Sequence, residues 1–167
     1  DADRVVFCDR TGTVIHGDRI LALCALALKE QGRLRRDTAV VTVMTNLGFH
    51  HALAERGIAT VTTPVGDRHI IERLRRDGYN FGGEQSGHLI FLDHATTGDG
   101  IVSALQVLRL MGRGGASVND LTGFMRIYPQ KLVNVPVREK RDLSLLPGLT
   151  AAIRECEAAL GATGRQL

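Results

Sequence analysis

The sequence predicts an α/β layered domain, a sheet with flanking helices, and three observations carry that prediction. Short apolar runs of strand type alternate with stretches of helical periodicity from about Gly17 to about Gly115. The connections are short and marked by glycine, as at Gly32, Gly57 and Gly78. The run Ala39 to Val43 is largely β-branched with polar residues on either side, the texture of a parallel-sheet strand buried on both faces.

Each element follows from local signals. Val5 to Cys8 reads as a short strand, with Thr13 to Ile15 as its hairpin partner across Arg10-Thr11-Gly12. Asp18 is positioned to cap a helix whose apolar residues, Ile20 to Leu28, cover more than one face and predict burial. Asn46 caps the next helix, Gly57 closes it, and Ile58 to Val61 is a second strand. Arg68 to Asp77 is a helix ending at Gly78, with Tyr79 to Phe81 and His88 to Leu92 as strands beyond it. Asp99 opens an apolar helix through Met111, and Ser117 with Asp120 forms a capping box. Leu132 to Val137 alternates like a strand with one buried face, and Pro147 starts a helix carrying Ile153, Cys156 and Leu160. These last two form the start of a separate, incomplete α+β unit.

Composition narrows the function classes. With 167 residues, 44% hydrophobic and 23% charged, the chain has the balance of a folded domain rather than a disordered one. Its longest apolar stretch, Ile20 to Leu28, falls far short of the roughly 20 residues that cross a bilayer, so no membrane partner is expected. The net charge of +3 comes largely from arginines on helical faces, a modest bias toward phosphate esters. Tyr79 and Tyr128 are the only tyrosines and tryptophan is absent, which removes the stacking platform of a single-strand nucleic-acid binder. Cys8, Cys24 and Cys156 form no paired motif and read as small buried hydrophobes in a reducing cytoplasm.

The segment GGEQSGH, Gly82 to His88, is the most informative in the chain. A carboxylate such as Glu84 accepts two hydrogen bonds at once, Ser86 both donates and accepts, and glycines such as Gly83 let backbone approach a ligand closely. That set suits a sugar. The bland alternative is a polar turn between two strands. Elsewhere His50 and His51 diverge by roughly 100° on a helix and make a poor chelating pair.

In order, the chain presents DADR (Asp1 to Arg4), TVMTNLG (Thr42 to Gly48), VGDRHI (Val65 to Ile70), GGEQSGH and TTGDGIVSALQVL (Thr96 to Leu108). Together these resemble the α-D-phosphohexomutase superfamily and, within it, the bacterial phosphoglucosamine mutases, almost end to end. The resemblance implies a phosphohexomutase third domain and an isomerase interconverting glucosamine 6-phosphate and glucosamine 1-phosphate. A phosphoserine donates phosphate, a bisphosphate turns over in the site, and the other phosphate returns. It implies that residues 1–16 end a second domain, 17–128 are the sugar-binding third domain with its linker, and 129–167 open a truncated fourth. The phosphoserine domain and the C-terminal phosphate-binding loop lie outside such a piece, which on its own is then inactive. Its partners are the hexosamine phosphate and the missing domains, with self-association through surfaces those domains cover.

The site residues follow from the same resemblance. Glu84 and Ser86 grip vicinal sugar hydroxyls, which look alike after the substrate turns over, with Gly83 beside them; His88 donates to the ligand or orients the loop. Arg4 binds phosphate through its planar fork. Asp67 and Arg68 fall where the family brings polar groups to the reacting sugar, for proton transfer or phosphate binding; the alternative is that Asp67 caps its helix. Asp1 and Asp3 belong to a magnesium loop with three aspartates at alternate positions. With two of them, and an α-ammonium beside the cation position if Asp1 is the true terminus, this chain is expected to hold no magnesium tightly.

A rival reading comes from Cys8 to Val14, which looks like the signature of aspartyl-phosphate enzymes of the haloacid-dehalogenase type, with Asp9 as nucleophile. Arg10 stands where that signature has lysine, and Val102-Ser103 where it has asparagine and aspartate. A third reading is a sugar-phosphate binding module without catalysis.

Overall fold

The computed structural model describes residues 1–139, 141–161 and 164, which divide into two compact units, one from Asp1 to Tyr128 and one from Pro129 onward. In the first unit the order is α1 (Gly17–Glu30), β1 (Thr38–Thr42), α2 (Leu47–Ala54), β2 (Ala59–Thr63), α3 (Asp67–Asp77), β3 (Phe81–Gly83), β4 (Leu89–Phe91), α4 (Gly100–Gly114) and α5 (Val118–Thr122). The sheet runs β2-β1-β3-β4; β1 is parallel to both β2 and β3, and β4 is antiparallel to β3.

Alternation along the strands divides the core into two. Ala39, Val41, Phe81 and Phe91 join the apolar residues of α1 and α2 on one side. Val40 and Ile90 face the other way, onto Ile70 and Leu74 of α3. Helices therefore cover both faces, which is why β1 is buried at every position. Asn46, Gly78, Asp99 and the Ser117–Asp120 box close their helices as their residue types predict.

Asp18 departs from expectation. The cap of α1 is His16, whose Nδ1 accepts from the Asp18 amide at 3.2 Å, while Asp18 is buried within the first turn. Its Oδ2 instead accepts from the Asn46 amide at 2.7 Å. Burial, and after it the Arg19 charge, lower the His16 pKa, which keeps the imidazole neutral and able to accept. The N-terminal hairpin forms only an isolated bridge, Cys8 to Val14, extended by Ile15 N–H to Phe7 C=O at 2.8 Å. Of the cysteines, only Cys24 is buried, its thiol pKa pushed up to about 12; Cys8 and Cys156 are exposed.

The second unit carries a 3-10 turn, Leu143–Leu145, and α6 (Pro147–Leu160), with Pro147 in the first turn where its missing N–H costs nothing. The strand expected from Leu132 to Val137 is not there. Leu132, Val133, Val135 and Val137 stand 63–72% exposed. Alternation supplies an apolar face, but a strand also needs a neighbour for its N–H and C=O groups, and the described residues of this unit contain no other strand.

Candidate functional site

Because β1, β2 and β3 are parallel, the loops after them gather at one edge of the sheet, where open α/β sheets place their ligands. The loop after β1 carries Thr45 and Asn46, that after β2 ends at Gly66 and leads into Asp67 and Arg68 of α3, and that after β3 carries Glu84 to Gly87.

The last of these is a tight turn joining β3 to β4, closed by Glu84 N–H to His88 C=O at 2.9 Å and Gly87 N–H to Glu84 C=O at 3.2 Å. It is thus the turn of the bland reading, yet its side chains reach beyond it. Glu84 Oε1 accepts from the Gly66 amide at 3.0 Å, and Ser86 Oγ donates to Oε2 at 3.4 Å. A carboxylate presents about four lone-pair positions, so Glu84 retains capacity for ligand hydroxyls. Gly83 is buried in β3, where a side chain would meet the His88 carbonyl at 2.4 Å; its smallness serves the hairpin.

The N-terminal segment docks on the same turn. Val5 N–H donates to Gly87 C=O at 3.1 Å, and Gly100 N–H donates to Ala2 C=O at 2.9 Å. Gly87 has φ +89°, and a Cβ there would come within 2.2 Å of the Val5 carbonyl oxygen, so both conformation and close approach demand glycine. His88 lies behind the turn, 2% exposed, with Nδ1 3.1 Å from Asp3 Oδ2. Its ring rests on Gly98, where a Cβ would come within 2.2 Å of Nε2. Nε2 is itself buried and has no hydrogen-bond partner among the described residues. This arrangement favours orientation over ligand donation as the role of His88.

The remaining expected residues are placed as follows. Arg4 is exposed next to the docked Asp3. Asp67 and Arg68 are exposed at the start of α3; Gly66 is the cap, the Asp67 carboxylate accepts from the Arg68 amide at 2.7 Å, and Arg68 Nε lies 3.7 Å from Glu72. Asp1 and Asp3 are hard oxygen donors of the kind magnesium takes from one or two carboxylates, and Asp3 is held by His88 at the end of the Glu84 to Gly87 turn. The residues fit as part of a magnesium site. Among the described residues, no three His, Cys, Asp or Glu side chains come together as a complete metal cluster.

Asn46 does more than cap α2. Its Oδ1 accepts from Gly48 and Tyr128 amides, each at 3.0 Å, and its Nδ2 donates to the Tyr128 carbonyl at 2.8 Å. TVMTNLG thereby clamps the last residue of the first unit. Sequence reasoning missed this clamp, the Gly66 amide and the space at Gly98, since each depends on partners far along the chain.

Asp9, the rival nucleophile, organises a turn. Oδ1 accepts from the Thr11 amide and hydroxyl and from the Thr13 amide, and Oδ2 accepts from Asn119 Nδ2 at 2.9 Å. The Thr11 hydroxyl first, then Asn119, hold its pKa down at about 2. A carboxylate so engaged, within a hairpin turn, has the features of a structural group.

Comparison with known proteins bears on the family and the fold. The pattern of the phosphoglucomutase/phosphomannomutase alpha/beta/alpha domain III matches residues 16–128. Phosphoglucosamine mutase from Frankia alni is 53% identical over the whole chain, which covers 37% of that relative. Phosphoglucosamine mutase from Syntrophotalea carbinolica is 48% identical, with 36% of it covered. The chain thus spans little more than a third of the length of these relatives. Among solved structures, Aspergillus fumigatus N-acetylphosphoglucosamine mutase in complex with GlcNAc-6P and magnesium superposes with TM-score 0.76 at 22% identity, covering 95% of this chain and 42% of that one. A phosphoglucomutase/phosphomannomutase family protein from Burkholderia thailandensis gives TM-score 0.66 at 24% identity, over 75% of this chain and 27% of that one. At such identities these two speak to the fold alone.

Proposed function

The chain belongs to the phosphoglucomutase/phosphomannomutase family, whose domain III it contains, and from that premise we propose that it is the sugar-holding part of a phosphoglucosamine mutase. The observation that carries the proposal is the likeness to phosphoglucosamine mutases at about half identity over the whole of this chain. The whole protein interconverts glucosamine 6-phosphate and glucosamine 1-phosphate through a phosphoserine and a bisphosphate. By this reading it is a phosphoprotein of the cytoplasm, and residues 1–16, 17–128 and 129–167 belong to its second, third and fourth domains. No described helix is long and apolar enough to cross a membrane.

In this reading Glu84 and Ser86 bind two neighbouring hydroxyls of the ring. A site that must hold the sugar in two opposite orientations gains from gripping groups that look alike after the flip. Glu84 is suited to this because its hydrogen bond from Gly66 fixes the carboxylate while leaving acceptor capacity free. Arg4 and Arg68, both exposed at the loop edge, offer charge to whichever phosphate lies distal. Asp67, or Arg68 beside it, assists the transfer, while the phosphoryl group itself is carried by the phosphoserine domain. Magnesium, held in part by Asp1 and Asp3, offsets negative charge on the phosphoserine when bound.

The test is steady-state kinetics of the full-length protein with glucosamine 6-phosphate, glucose 6-phosphate and mannose 6-phosphate. The proposal expects the highest kcat/KM for the amino sugar. Equal or greater efficiency with either other sugar contradicts it.

A further inference from the structure

From the contact between His88 and Asp3 we infer that His88 is a positioning residue: it aims the Asp3 carboxylate for the metal, and so couples metal binding to the order of the sugar loop. The inference deepens the proposed function, on whose reading of the Asp1–Asp3 segment as part of a magnesium site it rests.

The geometry separates this role from sugar binding. His88 is 2% exposed, whereas Ser86, two residues earlier, is exposed and Glu84 half-buried. An ionised carboxylate only accepts, so Nδ1 carries the proton of the 3.1 Å bond to Asp3 Oδ2. The opposite edge of the ring is shut against Gly98, and Nε2 finds no polar partner there. Among the described residues the imidazole therefore has one hydrogen bond, and that bond leads to a carboxylate of the metal segment. Hydrogen-bond partners of metal-ligating side chains typically govern affinity about 10-fold or more by fixing ligand orientation.

Docking of the segment does not hang on this contact. Val5 N–H to Gly87 C=O and Gly100 N–H to Ala2 C=O tether the backbone on either side of Asp3. Changing His88 consequently tests the aim of the carboxylate rather than the attachment of the strand. Since the turn Glu84 to Gly87 is tied to Val5 and, through His88, to Asp3, a cation that fixes Asp3 also restrains the turn. By reciprocity of linkage, ordering the turn strengthens the cation's binding equally.

The experiment is isothermal titration of the full-length protein with magnesium chloride alone, for wild type, His88→Leu and His88→Asn. The Asn amide nitrogen takes the place of Nδ1. His88→Leu is expected to weaken magnesium binding about tenfold, and His88→Asn to recover it to within about threefold. Unchanged magnesium affinity in His88→Leu overturns the inference, as does a loss in His88→Asn as deep as in His88→Leu. Should His88→Leu not fold, hydrogen exchange on the wild type decides: magnesium alone must slow exchange in residues 83–88, and no change overturns the coupling. These readouts need no turnover. A protein that binds magnesium in this way yet lacks mutase activity upholds the inference while refuting the proposed function.

Discussion

Glu84 Oε1 accepts a hydrogen bond from the backbone amide of Gly66 at 3.0 Å, joining the turn after β3 to the loop after β2. The carboxylate is thereby fixed in place before any ligand arrives. Fixing it beforehand lowers the ordering cost that binding would otherwise incur.

Replacing Glu84 by Gln keeps an oxygen for the Gly66 amide but removes the charge and half of the acceptor capacity. Hydrogen bonds to charged groups contribute about 1.5–3 kcal/mol, so kcat/KM of the full-length protein for glucosamine 6-phosphate should fall about 10- to 100-fold. Kinetics beside a magnesium titration checks this, with metal affinity expected to hold. A variant with unaltered kcat/KM removes Glu84 from substrate binding.

Gly87→Ala should destabilise the domain by about 1–3 kcal/mol, because the backbone there has φ +89° and the added Cβ would press on the Val5 carbonyl at 2.2 Å. Urea unfolding of the 167-residue chain measures it. A change within about 0.5 kcal/mol, the usual range for an unremarkable surface site, contradicts the packing described.

Asn46→Ala removes a helix cap and leaves the Tyr128 amide and carbonyl without their side-chain partner. The expected cost is about 2 kcal/mol, with faster amide exchange at residues 126–128. Asn46→Asp retains the acceptor but, at a buried position, turns a second, charged acceptor toward the Tyr128 carbonyl, so it should cost at least as much as Asn46→Ala.

Asp9 yields a pH prediction of definite sign. Its folded pKa, about 2, lies below the ordinary 3.8, so its stabilisation of the turn is complete above about pH 4 and is lost as pH falls toward 2. Chemical shifts of Thr11 and Thr13 should titrate across that window in the wild type and not in Asp9→Asn. The same variant in the full-length protein should keep mutase activity within about twofold. Loss of activity, or trapping of beryllofluoride on Asp9, would revive the aspartyl-phosphate reading.

Much of this was legible in the chain because the signals are local. A cap at Asn46, a left-handed stop at Gly78, and the Ser117–Asp120 box each depend on residues within a few positions. The buried strand Thr38–Thr42 declares itself by composition. Where competition between partners decides, the sequence is silent: Asp18 could cap α1, but His16 takes that place and Asp18 turns to Asn46. The alternating run from Leu132 to Val137 looks like a strand until a neighbour is sought for it. In the candidate site, Glu84 and Ser86 stand out by residue type, and the resemblance of their loop is what proposes a sugar-binding role for them. The bond from His88 to Asp3 spans 85 positions, and no spacing rule reaches that far.

The most direct test of the account follows glucosamine 6-phosphate by phosphorus NMR in the presence of the full-length protein, its Glu84→Gln variant and the 167-residue chain. The account predicts a glucosamine 1-phosphate resonance with the full-length protein, slowed about 10- to 100-fold by the substitution, and none with the chain alone. No 1-phosphate from the full-length protein, or turnover by the isolated chain, contradicts it.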